Sequence, residues 1–378
     1  MKIFNMTMMI FFLFVLTGCM KALDIKKDDE NHVKVRKLEK WLDERYKEKQ
    51  FHGSILLAEK GKVIFEKLYG YEDINDKHKL SKYSSFNIAS LSKPFTAMAI
   101  MLLEQEEELS YDDDIRKYIP ELDYLSGVTI KHLLQHTSGL EDYISLTDKY
   151  WDKSKTFTSN NMIKMFQQYK PKAKFKAGEK FEYSNTGYVL LSEIVERISK
   201  KKYADFMKNR IFKPLKMNDS AIFNKLSDSN VLKHRVYGFK RAGVLGNSKI
   251  FHDLNYLDGV AGDGAVYTTA SDLFKWSRAI KNGTLVSKEN YKKAFEVATL
   301  NDGSKSDYGF GWDLAKDGSY SHAGAWVGFT SYMIQNPEND KLILLLDSSD
   351  NILRIIPDLG LTKNDSIALN LIDFMKKY

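Results

Sequence analysis

The chain has 378 residues, 43% of them hydrophobic and 28% charged, with 57 Lys and Arg against 50 Asp and Glu for a net charge of +7. That is enough material for one large domain or two small ones. The basic residues are spread among acidic runs such as Glu104 to Glu108 and Asp112 to Asp114, without a basic stripe interleaved with aromatics, which argues against nucleic-acid binding. Cys19 is the only cysteine, so no internal disulfide can brace the fold.

Taken in chain order, Lys2 and the apolar run Met8 to Leu16 read as an export signal, too short for a stable membrane span. Leu16-Thr17-Gly18-Cys19 resembles the cleavage box of bacterial lipoproteins. The resemblance implies a signal peptide over residues 1–18, lipid on Cys19, and export to the bacterial cell envelope, in the periplasm or at the cell surface. An ordinary cleaved signal with an incidental cysteine is the alternative. Residues 19–32 are polar and charged and read as a flexible tether. Residues 33–378 then form the folded body.

Val33 to Lys49 has Val35, Leu38, Trp41, Leu42 and Tyr46 at helical spacing. Gly53 to Ala58 and Val63 to Tyr69 read as strands joined at Lys60-Gly61 by a tight hairpin turn. Pro94 suits the first turn of a helix, and the run Ala97 to Leu103 is apolar nearly all round, which predicts a buried central helix. Thr129 to Tyr203 is mostly helical, including Gly187 to Ser199. Another helix is expected over Ser271 to Lys281, capped by Ser271 and ended by Gly283. Tyr308 to Leu314, Trp326 to Gln335 and Leu342 to Leu346 read as strands, with a turn at Asn336 to Asp340. Ser366 to Lys377 closes the chain as an amphipathic helix. The economical arrangement is α+β: one antiparallel sheet built from about 33–86 and 300–378, flanked by helices, with a mainly helical region, about 87–299, inserted between.

Ser90-Leu91-Ser92-Lys93 places a hydroxyl and an amine three residues apart, on one face of a helix. A serine becomes a good nucleophile when a neighbour takes its proton, and Lys93 is placed to do so. The same spacing also fits a capped core helix with Lys93 in solvent. Tyr183 and Asn185, two apart on extended chain, point to the same side and can face one cleft. Alternatively, Tyr183 is a core aromatic and Asn185 a helix cap. His322-Ala323-Gly324 lies between two strand signals. Gly324 permits close backbone approach, the N–H of Ala325 can pair with that of Ser90 as an oxyanion hole, and His322 can supply partial positive charge near neutral pH. A satisfied structural histidine is the competing reading. His132 and His136 are spaced i, i+4 like a metal pair, but leucines follow where a zinc protease carries glutamate, and both read as loop-ordering residues. Gly262 and Gly264 lack a strand–glycine–helix frame, so a tight turn is expected there.

Ser90-x-x-Lys93, Tyr183-x-Asn185 and His322-x-Gly324, in that order, resemble the three motifs of the penicillin-recognising serine hydrolases. The branch that includes class C β-lactamases, DD-carboxypeptidases and their esterase relatives is the most similar. The segments Ile130 to Leu140 and Gly262 to Leu273 resemble stretches typical of that branch, and the likeness runs over about residues 33–350. It implies the β-lactamase/transpeptidase-like fold and an acyl-enzyme on Ser90. Lys93 and Tyr183 would share the proton handling, with the base unassigned. Ser90 and Ala325 would form the oxyanion hole, and Tyr183 or His322 would assist release. Neither metal nor cofactor is implied. His322 departs from the pattern: these enzymes usually carry lysine there, a permanent cation that attracts a substrate carboxylate. The reaction class is therefore better defined than the substrate, which is a small ester, peptide or peptidoglycan-like molecule, or a β-lactam. The leading expectation is an envelope-associated serine hydrolase. The alternative is a catalytically weak penicillin- or peptidoglycan-binding lipoprotein.

Overall fold

The computed structural model describes residues 21–243, 246–357, 359 and 362–378; the expected signal peptide and Cys19 lie outside them. Eleven helices are described, α1 (Asn31–Lys47), α2 (Lys93–Gln105), α3 (Ile130–Leu134), α4 (Tyr143–Tyr150), α5 (Ser159–Tyr169), α6 (Asn185–Ser199), α7 (Tyr203–Met207), α8 (Ala270–Asn282), α9 (Lys288–Lys292), α10 (Ile352–Ile355) and α11 (Ile367–Lys377). The strands are β1 (Gly53–Glu59), β2 (Lys62–Tyr69), β3 (Phe86–Asn87), β4 (Ala221–Ile222), β5 (Phe239–Ala242), β6 (Ser248–Phe251), β7 (Val266–Thr268), β8 (Asp313–Leu314), β9 (Tyr320–Trp326), β10 (Phe329–Asn336) and β11 (Lys341–Asp347).

The main sheet has the order β2-β1-β11-β10-β9-β8, and its neighbours pair antiparallel. Strands from the two ends of the chain thus form one sheet, as the sequence predicts. Short strands β3, β7 and β4 form a second sheet, and β5 and β6 a hairpin, both within the mainly helical 87–299 region or at its border.

The central strands β1 and β11 are apolar at consecutive positions because both faces of the sheet are covered. Side chains alternate between faces along a strand. Ile55, Leu57, Ile343 and Leu345 pack with Leu38, Trp41 and Leu42 of α1 and with Leu371 and Phe374 of α11. Leu56, Ala58, Leu342 and Leu344 face the other way, into the larger core around α2 and α8. Register locks the two sets, with Leu56 opposite Leu344 and Ile55 opposite Leu345. In the β1–β2 turn Lys60 and Gly61 both have positive φ, 50° and 73°, the twist that two-residue hairpins require. Helix α2 is buried at every position from Lys93 to Leu103, and Phe95 stacks on Trp276 of α8 with ring centroids 4.1 Å apart.

Several expectations are corrected. The predicted tether is docked from Lys21 on. Leu23 and Ile25 are buried among α1 and α11, the Trp41 indole donates to the Lys21 carbonyl at 2.6 Å, and Leu23 N donates to Asn370 Oδ1 at 2.8 Å. Two apolar side chains in a charged segment suffice to cover the helix layer. The expected strand Tyr308 to Leu314 is reduced to Asp313–Leu314. A Cβ on Gly309 would lie 2.1 Å from Ala294 O, and one on Gly311 2.8 Å from Pro94 N, so this stretch is a glycine loop pressed against its neighbours. Trp326 to Gln335 is not one strand: Gly328, with φ of 76°, turns β9 into β10, and the His322 motif lies on β9 rather than between strands. The α8 cap is Thr269, whose hydroxyl accepts from Asp272 N at 3.0 Å, not Ser271.

The docking of the N-terminal segment is testable. Ile25→Ala should lower the free energy of unfolding by about 2 kcal/mol, the cost of emptying a buried aliphatic site. A urea midpoint equal to that of the unchanged protein would contradict the packing described.

Candidate active site

Ser90 sits in a short 3-10 turn, Ala89–Ser92, between β3 and α2, rather than on the α-helix itself. In a 3-10 turn residues i and i+3 eclipse, which brings the Ser90 and Lys93 side chains together more directly than an α-helix would. The turn is entered through Ala89 in the left-handed region, φ 48°, a strained conformation for alanine. Asn87 helps to hold it, its Oδ1 accepting from Ala89 N at 2.8 Å.

Lys93 is fully buried and its amine faces inward. Nζ donates to Ser90 Oγ at 3.1 Å, to Asn185 Oδ1 at 2.9 Å and to the Asp263 carbonyl at 3.0 Å. Three acceptors match the three protons of an ammonium. Loss of water pushes the amine down to about 8, opposed by the Asp263 and Asp142 carboxylates. Nζ also lies 4.7 Å from the centre of the Tyr183 ring.

Tyr183 and Asn185 reach this amine from one short segment. Tyr183 lies in the loop before α6, Asn185 is the first residue of that helix, and Ser184 is the cap, its Oγ accepting from Gly187 N at 3.3 Å. The extended pairing expected from their spacing is therefore replaced by a loop-to-helix corner. Loss of water, with the Asp263, Asp313 and Asp142 carboxylates, holds the Tyr183 phenol above its usual range, and its contact with Ser90 opposes this. Tyr183 stays 40% exposed on its outer side.

His136 organises that corner. Its carbonyl accepts from Glu182 N at 2.9 Å and its Nδ1 from Ser184 N at 3.1 Å, so one residue grips the backbone on both sides of Tyr183. Its ring lies 4.3 Å from the Tyr183 ring. His132 Nδ1 accepts from Thr129 N at 3.1 Å in a capping box. The loop-ordering expectation thus matches the geometry of both histidines. Among the described residues, no group of three or more His, Cys, Asp or Glu is placed to hold a metal ion.

The third wall is β9. A Cβ on Gly324 would lie 2.2 Å from Ile88 O and 2.5 Å from Ser331 Oγ, so only glycine lets this strand lie against the Ser90 turn. Ser331 Oγ, on the neighbouring strand, donates to the same Ile88 carbonyl at 2.7 Å. His322 is buried. Its Nδ1 lies 2.6 Å from the Ala323 carbonyl, which can only accept, so Nδ1 carries the proton and Nε2 accepts from Tyr308 OH at 2.9 Å. Burial, then the nearby Lys93 charge, pushes the imidazole down to about 3. The partial positive charge expected of His322 is therefore absent near neutral pH.

Ser90, Tyr183, Asn185, His322 and Ala325 line one cavity of about 460 Å3, with Lys93 beneath its floor and Gly324 behind its wall. Asp258, Asp263, Asp313, Tyr143 and Trp326 line it too. None of these five stands out in the sequence. Asp263 sits inside the Gly262 to Leu273 segment, and that segment was the only available signal.

A family model described as beta-lactamase matches residues 38–351. Penicillin-binding protein 4* of Bacillus subtilis (strain 168) is 37% identical over 312 residues, 80% of this chain and 69% of that protein. Protein flp of Staphylococcus aureus (strain MRSA252) is 28% identical over 305 residues, 78% of this chain but only 58% of flp. Among solved structures, the octameric penicillin-binding protein homologue from Pyrococcus abyssi superposes with a TM-score of 0.72 at 26% identity, covering 89% of this chain and 77% of that one. FmtA from Staphylococcus aureus gives 0.74 at 23% identity, covering 95% and 90%, a likeness of fold.

The close approach at Gly324 makes a specific prediction. Gly324→Ala should cost about 1–3 kcal/mol of stability through overpacking, read as a fall in the urea midpoint. An unchanged midpoint would show that β9 does not press on the Ser90 turn.

Proposed function

The chain belongs to the β-lactamase family of penicillin-binding serine hydrolases, and from that premise we propose that it cleaves an ester or amide bond, peptide or β-lactam-like, through an acyl-enzyme on Ser90. The observation that carries this reading is the Lys93 amine, stripped of water, in contact with Ser90 Oγ and lowered to about 8. When Lys93 is neutral, a lone pair replaces one donated proton, and the Ser90 hydroxyl donates to it. The Tyr183 phenol lies above its usual range. It is still protonated when Lys93 is not, which gives the base role to Lys93 and the proton-donor role to Tyr183.

In the reaction, Ser90 Oγ bonds to the carbonyl carbon as the C–O or C–N bond to the leaving group breaks. The Ser90 proton passes through Lys93 and Tyr183 to the departing atom. The N–H groups of Ser90 and Ala325 receive the oxyanion; that of Ser90 lies in a first helical turn, where no earlier turn accepts it. Water then attacks the ester carbonyl, giving its proton to the same base, and the bond from the acyl carbon to Ser90 Oγ breaks as that base returns the proton to Oγ, which frees the acid. Asn185 and the Asp263 carbonyl orient the amine, and neutral His322 holds Tyr308 and shapes the wall.

The proposed location is the bacterial cell envelope, with lipid on Cys19. Cys19 precedes the docked Lys21 by two residues, a reach of about 7 Å. A lipid there would keep the α1 and α11 face close to the membrane surface. Cys19→Ala should move the protein from the membrane fraction to the soluble one, and its retention in the membrane fraction would remove this part of the reading.

Three measurements test the chemistry. A fluorophosphonate or labelled penicillin should add mass at Ser90, and Ser90→Ala should take up no label and hydrolyse esters at the background rate. Wild-type ester hydrolysis by Ser90→Ala would overturn the mechanism. A penicillin adduct that never turns over, with no ester cleaved, would support the binding lipoprotein instead. Lys93→Met should lower kcat by about 10²–10⁴, the usual worth of a general base. Because only the neutral amine accepts the proton, kcat/KM should rise with pH along a limb near 8 and level above it. A rate that falls through that range would assign the base to another group.

A further inference from the structure

The wall of the Ser90 cavity carries three carboxylates, Asp258, Asp263 and Asp313, and no lysine or arginine lines it. Neither nearby nitrogen base turns a free proton toward a ligand. Lys93 lies beneath the floor with its protons committed to Ser90, Asn185 and the Asp263 carbonyl. His322 carries one proton, turned to the Ala323 carbonyl. An incoming molecule therefore meets carboxylates and no lysine or arginine in the wall.

The three acids are not equivalent. Asp263 faces Lys93 and accepts from the Tyr143 hydroxyl at 3.0 Å, so it balances the buried amine. Asp258 is held by neutral donors only. Its Oδ1 accepts from the Trp326 indole at 2.8 Å and its Oδ2 from Asn255 N at 2.5 Å. Charges acting on it include Asp263 and Asp253, the latter itself ion-paired with Arg235. Each carboxylate oxygen accepts more than one donor, so Asp258 retains acceptor capacity. Trp326 directly follows Ala325 on β9, which fixes Asp258 next to the strand edge where a carbonyl would sit.

We infer that this cavity takes acyl donors bearing a free primary amine close to the scissile carbonyl, aminoacyl esters or amides, with Asp258 receiving the ammonium. The inference rests on the reading of Ser90 as the nucleophile and names the substrate class of that same site. It is the opposite of carboxylate recognition: an anionic substituent would approach the Asp258 carboxylate with no lysine or arginine lining the wall. Burial lifts Asp258 to about 6, which leaves it anionic in the range where Lys93 becomes neutral.

The experiment is a matched panel on the full chain: 4-nitrophenyl esters or 4-nitroanilides of both enantiomers of alanine, their N-acetyl forms, and the succinyl analogue. The expected result is a kcat/KM for a free-amine member about tenfold or more above its N-acetyl partner, consistent with one charge-assisted hydrogen bond, and lowest for the succinyl compound. Asp258→Asn should shrink the amine-to-acetyl ratio towards one, mainly through KM. Equal rates for amine and acetyl forms in the unchanged protein, or preference for the succinyl compound, overturn the inference whether or not the variant folds. So does a folded Asp258→Asn that keeps the full ratio. If no panel member is cleaved and Ser90 takes no acyl label, the parent reading fails instead.

Discussion

The site depends on one buried ammonium. Lys93 gives up its water and is compensated by three acceptors from three places in the chain: the Ser90 hydroxyl, the Asn185 side chain and the Asp263 carbonyl. Burying a charge is costly unless hydrogen bonds and opposite charge are supplied. Asp263 and Asp142 supply the opposite charge, and Tyr143 holds Asp263 in turn. The compensation is incomplete, which is why the amine falls to about 8 rather than staying near its value in water. That shortfall makes a lysine useful as a base at all.

The fold provides what that amine needs. Helix α2 is apolar on all sides because it is the centre of the larger core, and Lys93 at its first position is drawn inward with it. The main sheet brings β9 against the turn before α2, and the contact is backbone to backbone at Gly324 and Ile88. The loop of residues 261–265 passes beneath. Gly262 there has φ of 99°, and a Cβ on it would lie 2.4 Å from Tyr188 O, while its carbonyl accepts from Thr96 Oγ1 at 2.6 Å. The positions that tolerate no side chain are therefore the seams along which separate segments meet around one amine.

Long periodic elements were legible in the sequence. Helices α1, α2, α6 and α11 and the strands β1, β2 and β11 follow from apolar spacing, because burial of a face is a local pattern repeated many times. Glycine-rich stretches carry less local information. Gly309, Gly311 and Gly328 break or turn the C-terminal strands for reasons that lie in distant neighbours, Ala294 and Pro94 among them. The docked Leu23 and Ile25 were hidden by the charged residues around them.

The sequence by itself determined the candidates for the site at Ser90: the three-residue interval to Lys93 is a local relation that survives the change from α to 3-10 geometry, and the order of the later motifs points to the same family as the fold. Only the tertiary structure decided the ionisation of those groups. Lys93 is lowered, His322 is neutral and the cavity wall is acidic because of burial and of partners far along the chain. Proton affinity responds to lost water and to charges a few ångströms away, and spacing along a chain encodes neither.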